Sequence, residues 1–142
     1  MTENVNVRFA RPDDLEWCVQ LDKHVGPAVI QRKIEQEEIL IAEAGGEPVG
    51  YLRLEYLWSL VPYIALIWVL PEHRRKGVGR AILGYLEEFL REEGYRVLLS
   101  SSQANEPQPQ AWHRHMGFEE CGYLAGINEG GIGEVFFRKH LM

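Results

Sequence analysis

The sequence is poor in cysteine, with only Cys18 and Cys121. Two thiols build neither a disulfide framework nor a four-cysteine zinc site, and neither has a second cysteine at CxxC spacing. Both read as small, half-buried side chains rather than redox or nucleophilic groups, and no metal site is expected. A long apolar run is also lacking. The longest, Leu57 to Leu70, is interrupted by Ser59 and Pro62 and falls short of the roughly 18 residues a membrane helix needs. Met1 to Ala10 has no basic stretch leading into an apolar one, so no signal peptide and a cytoplasmic location are expected. Excess positive charge is absent. Fifteen Lys and Arg stand against 21 Asp and Glu, a formal net charge of -6, which argues against nucleic acid as the main partner. Repeats, low-complexity tracts and linkers are missing too, so the 142 residues read as one domain, 1–142, with a real core.

What is present is a regular alternation of short apolar segments. Val5, Val7 and Phe9 alternate with polar residues and predict a strand. Pro12 followed by Asp13 and Asp14 predicts a helix start, continued by Leu15, Val19 and Asp22. A second helix is expected over Pro27 to Glu38. Ile39 to Ala44 and Pro48 to Leu57 read as strands joined by the hairpin signal Gly45-Gly46. Tyr63 to Leu70, bracketed by Pro62 and Pro71, is apolar enough for a central strand covered on both faces. Val78, Ala81, Ile82, Tyr85, Leu86, Phe89 and Leu90 then follow helical spacing, with Arg80, Glu87, Glu88 and Arg91 on the other side and Gly94 as C-cap. Arg96 to Ser100 predicts a strand, and a helix starting near Pro109 ends at Gly117. Phe118 to Ala125 and Ile132 to Lys139 predict a final hairpin. The order βααβββαβαββ mixes hairpins with a strand–helix–strand crossover, so a mixed sheet is expected.

The informative segment is Arg74-Arg75-Lys76-Gly77-Val78-Gly79. Three cations precede a long helix, whose N-terminus already carries partial positive charge. That placement is unfavourable by a few tenths of a kcal/mol per cation unless an anion completes it. Orphan N–H groups and close-approach glycines at a helix start form a phosphate site. The alternative is a solvated basic turn. A Walker A loop, GxxxxGK[ST], is absent. A Rossmann fingerprint would need glycine where Ile82 stands.

Arg74-x-x-Gly77-x-Gly79 resembles the Q/R-x-x-G-x-G/A motif of the GCN5-related N-acetyltransferases. Asn105 followed by Ala111-Trp112-His113-Arg114-His115-Met116-Gly117-Phe118 resembles that family's N…A-x-Y-x-x-x-G-F segment. The similarity spans nearly the whole chain. It implies a mixed, mostly antiparallel central sheet of about seven strands flanked by about four helices. It also implies acetyl-CoA as co-substrate, with the pyrophosphate held by Arg74, Arg75, Lys76, Gly77, Val78, Gly79 and Arg80. The pantetheine arm would bond backbone at Ile67, Trp68 and Val69, and Asn105 would contact the cofactor. The implied chemistry is direct attack of a primary amine on the thioester.

Two positions depart from the family pattern. His113 stands where a tyrosine often serves as the acid, and its imidazole is a candidate to replace it. The strand Tyr63 to Leu70 holds no carboxylate, nor does Ser100-Ser101-Ser102, so Glu55 is a candidate base, with an Arg53–Glu55 ion pair as its alternative. His24 is a further possibility. Tyr56, Trp58, Trp68 and Trp112 line a pocket or pack the core. The expected partner is an amine acceptor, a small molecule or a protein, with no nucleic acid or membrane; a homodimer is left open. The competing class is a non-catalytic CoA or acyl-CoA-binding module of the same fold, and a nucleotide-phosphate binder is a third.

Overall fold

The computed structural model describes residues 4–141, so the first three residues of the N-terminal stretch read above lie outside it. Strands β1 (Val5–Phe9), β2 (Ile39–Ala44), β3 (Glu47–Leu57), β4 (Val61–Val69), β5 (Val97–Gln103), β6 (Glu119–Leu124) and β7 (Glu134–His140) form one sheet in the order β1-β2-β3-β4-β5-β7-β6. Helices α1 (Leu15–Leu21), α2 (Pro27–Glu35), α3 (Val78–Glu92) and α4 (Pro107–His115) complete the expected order. β1, β2 and β3 pair antiparallel, as do β5, β7 and β6, while β4 and β5 run parallel with Tyr63 opposite Leu99. The parallel pair follows from α3, because strands in one direction need a crossover long enough to return the chain.

The chain divides into two compact units. The first runs to Leu54 and adds Leu66–Leu86. Its core is Cys18, Ile30, Ile34, Ile39, Ile41 and Tyr51, with Leu15, Trp17 and Leu66 packed against it. Gly50 lets α3 lie directly on β3, since a Cβ there would meet Ile82 Cδ1 at 2.8 Å and Val78 Cγ1 at 3.0 Å. The second unit is Glu55–Ala65 with the described residues from Glu87 onward. Leu98, Phe118, Val135 and Phe137 are buried there.

Several boundaries differ from the sequence reading. α2 stops at Glu35 rather than Glu38, because Glu37 takes a left-handed φ of 56° and closes the helix. Its N–H donates to the Ile34 carbonyl and that of Glu38 to the Lys33 carbonyl, a C-terminal turn that glycine would normally signal. Pro62 lies inside β4, one residue past its start, rather than bracketing it. β4 is central in strand order, but Trp68 is 43% exposed, so its far end is not covered on both faces. α4 starts at Pro107 and keeps Pro109 in its first turn, where the missing N–H groups would have no helical acceptor. The buried stripe of α3 is Val78, Ile82, Leu83, Leu86, Glu87 and Leu90, so Tyr85 faces out and Glu87 faces in. Glu87 is compensated by Lys139, whose Nζ lies 2.7 Å from Oε2. Cys18 is fully buried and Cys121 exposed, so neither thiol is half-buried as expected.

Candidate active site

The basic turn keeps the form its sequence suggests. Pro71–His73 makes a single 3₁₀ turn after β4, and α3 begins at Val78. Ala81 N–H donates to the Gly77 carbonyl at 3.0 Å, the first bond of the helix. The N–H groups of Val78, Gly79 and Arg80 therefore sit in the first turn, which has no acceptor within the helix. Arg74, Arg75 and Lys76 are exposed immediately ahead of them. Gly77 has φ 87°, and Arg75 has φ 63°. Left-handed backbone costs a non-glycine residue about 1–2 kcal/mol. Strain and exposed charge of one sign thus meet at a helix N-terminus, the arrangement an anion completes. The donor set fits a pyrophosphate: three cations and successive first-turn N–H groups.

Arg74 is folded back onto β4. Its guanidinium lies 4.4 Å over the Trp68 ring, and Nε donates to the Val69 carbonyl at 2.8 Å. Ile67, Trp68 and Val69 thus form the part of β4 next to the turn in sequence, with one carbonyl engaged by Arg74. Asn105 is exposed in the turn between β5 and α4. Gln110 Nε2 braces that turn by donating to the carbonyls of Gln103 and Ala104.

His113 is only 3% exposed. Its ring stacks on Phe137 at 4.7 Å, meets Phe118 edge-on at 5.4 Å, and bonds Ser100 Oγ through Nε2 at 2.7 Å. Nδ1 is buried without a hydrogen-bond partner among the described residues. Burial pushes the imidazole from 6.5 down to about 4, so it is neutral near pH 7. Gly117, at φ 95°, ends α4 and returns Phe118 to the last turn, where its N–H donates to the His113 carbonyl.

Glu55 is half-buried on β3. Arg53 turns to Asp22 through an Nε–Oδ2 contact of 2.7 Å, and Tyr51 donates to the same oxygen at 2.7 Å. Burial pushes the Asp22 carboxyl up, and the Arg53 and Tyr51 bonds outweigh it to hold the group below the usual carboxylate range. Tyr56 pairs with Tyr95 at 5.6 Å, and Trp58 is 77% exposed in the β3–β4 turn.

The sequence reading missed one constellation. Tyr63 of β4 bonds Ser101 of β5 at 2.6 Å, and Ser101 donates to Glu134 of β7 at 2.6 Å. Asn128 Nδ2 donates to the other Glu134 oxygen at 2.9 Å. No motif announces it, since the carboxylate is distant in sequence from both hydroxyls. The alternation of β5 and β7 would place Ser101 and Glu134 on one face only once their register is known. No group of three or more His, Cys, Asp or Glu suited to a metal ion occurs among the described residues.

Residues 8–118 match the model of the acetyltransferase (GNAT) family. The chain belongs to this family. The GNAT chain is 37% identical over 89 residues to an aminoglycoside N(6')-acetyltransferase type 1 of Stenotrophomonas maltophilia, covering 57% of this chain and 58% of that protein. It is 34% identical over 93 residues to a streptothricin acetyltransferase of Streptomyces lavendulae, covering 64% of this chain and 49% of the relative. The matches thus span about half the length of these curated relatives. Among solved structures, Ard1 from Thermoplasma volcanium superposes with a TM-score of 0.86 at 17% identity, over 97% of this chain and 98% of that one. At that identity the likeness speaks for the fold. No helix among the described residues is long and apolar enough to cross a membrane.

Proposed function

We propose that this GNAT chain is an N-acetyltransferase that binds acetyl-CoA at the Arg74–Gly79 turn and acetylates a primary amine. The observation that carries the reading is the exposed triad Arg74, Arg75 and Lys76 set against the open first turn of α3. In this reading the pyrophosphate takes the N–H groups of Val78, Gly79 and Arg80, and the arm of the cofactor runs along Ile67 to Val69. Arg74 exchanges its bond to the Val69 carbonyl for the phosphates. Acetyl-CoA brings a thioester carbonyl open to a neutral amine.

His113 serves here as a positioning residue. Its 3% exposure and its bond to Ser100 support a role in seating α4 on β5, in place of direct proton donation to the thiolate. Aminoglycosides and streptothricin, named for the relatives above, are the first acceptors to test. Thiol release from acetyl-CoA is measured with kanamycin, streptothricin, spermidine and a lysyl peptide. Release that depends on an amine is expected. Tight acetyl-CoA binding without release from any of them would favour the non-catalytic CoA-binding module, a reading that the neutral, buried His113 and the carboxylate-free β4 make specific.

A further inference from the structure

Arg74 has a set of partners inside the chain, and they stand on the strand segment assigned above to the cofactor arm. Its guanidinium carbon lies 4.4 Å over the centre of the Trp68 ring, and Nε donates to the Val69 carbonyl at 2.8 Å. All three residues belong to the first compact unit. The ring and the carbonyl are both neutral. A hydrogen bond from a guanidinium to an ionised acceptor is roughly twice as strong as one between neutral groups, so a phosphate can draw Arg74 away from them. The guanidinium is a rigid plane, so turning it toward a phosphate gives up the ring face and the carbonyl together.

The backbone around this contact is pinned. Leu70 N–H donates to the Val49 carbonyl at 2.9 Å, which ties the end of β4 to β3. His73 N–H donates to the Leu70 carbonyl at 2.8 Å, and the N–H of Arg74 itself to the Pro71 carbonyl at 3.3 Å. Only the side chain is left to move. Arg74 is exposed and Trp68 is 43% exposed, so the guanidinium turns through solvent without disturbing the core. Where it sits, it covers one face of the Trp68 ring and engages the Val69 carbonyl. An arm running along Ile67 to Val69 meets the guanidinium there.

We propose that Arg74 is a latch on β4 that phosphate opens, an inference that rests on the acetyl-CoA reading. Seated on Trp68 and Val69, the guanidinium shuts the end of the arm's path. Drawn to the pyrophosphate, it opens that path and holds the ligand in one movement. Trp68 is a positioning residue, which acts through Arg74 by giving the closed latch its seat. Entry of the thioester arm thus depends on the nucleotide end of the same ligand. A short acyl thioester without phosphate, such as acetylpantetheine, has to lift the guanidinium unaided. The latch therefore selects acyl-CoA by a penalty on other thioesters, in addition to the attraction that a bound phosphate supplies.

The test titrates acetyl-CoA and acetylpantetheine calorimetrically into the wild type, Arg74→Ala, Trp68→Leu and Trp68→Phe. The two ligands are expected to respond to Arg74→Ala with opposite signs. Acetyl-CoA binding weakens about tenfold, because a charged hydrogen bond is lost. Acetylpantetheine binding tightens about threefold, because the closed form held by an exposed cation–π contact no longer competes. Trp68→Leu tightens both ligands, and Trp68→Phe, which keeps an aromatic seat, stays near the wild type. A second readout needs no thioester. The Arg74 Nε–H resonance, assigned by its loss in Arg74→Ala, should leave the shielding of the Trp68 ring when inorganic pyrophosphate is added to the wild type. Acetylpantetheine bound no more tightly by Arg74→Ala than by the wild type would overturn the latch and leave acetyl-CoA binding standing. So would weaker binding of both ligands by Trp68→Leu, or a resonance that pyrophosphate does not move. A wild type that binds no acetyl-CoA would overturn both the latch and the cofactor reading.

Discussion

His113 illustrates how far residue identity and residue environment can diverge. In sequence it occupies the place of a family acid. In the structure it is a neutral imidazole between Ser100, Phe118 and Phe137. Its folded value near 4 lies below the 6.5 of an exposed histidine. The unfolded chain therefore takes up a proton that the folded chain refuses as pH falls. The stabilisation is fully present above pH 6.5 and is lost progressively down to about pH 4. The full span corresponds to about 3 kcal/mol. Thermal melts across that range should show a steep acid loss in the wild type and a shallower one in His113→Phe, although Phe leaves Ser100 without its partner and lowers stability at neutral pH. Equal slopes would mean that His113 is not held neutral by burial. Nothing in the segment Ala111 to Phe118 announces this burial; it arises from strands distant in sequence. Glu134 was hidden for the same reason, whereas the proposal for Arg74 and Gly77 rests on local chemistry and needs no strand pairing.

The decisive element is the turn that leads into α3. The proposal of an anion site there starts from the sequence, because cations at a helix N-terminus conflict with the helix dipole and so demand an explanation. The strain of the turn was not legible, because a left-handed φ of 63° at an arginine has no sequence signature. The strain makes a prediction of opposite signs. Arg75→Gly should raise the melting temperature of the free protein, by relief of about 1 kcal/mol of left-handed strain. The same variant should weaken acetyl-CoA binding by removing a cation. Isothermal titration beside thermal melts checks both, and loss in both would show that Arg75 stabilises the turn. Element ends were the least legible features. α2 ends on Glu37 in place of a glycine, and α4 accepts two prolines because both fall in its first turn. In each case the sequence signal for the boundary is weak or misleading, while the hydrogen-bond pattern is definite.

At the level of the whole molecule, the element order βααβββαβαββ was readable from apolar periodicity and turn residues alone. The strand order was not. β7 inserts between β5 and β6, so Ser101 comes opposite Phe136, and no local pattern specifies that pairing. The pairing sets Glu134 beside Ser101. The overall charge of -6 likewise masks the basic turn, whose three cations are exposed together at one end of α3. Composition thus says little about the site, and the juxtaposition of charge with an open helix start says most. Calorimetric titration of acetyl-CoA into the wild type, Gly77→Ala and Gly77→Glu tests that claim most directly. Both substitutions impose the same left-handed strain at φ 87°, and only one adds negative charge. Clear binding by the wild type, modest weakening in Gly77→Ala and loss in Gly77→Glu are predicted. Equal affinity in all three would contradict the placement of the cofactor at the start of α3.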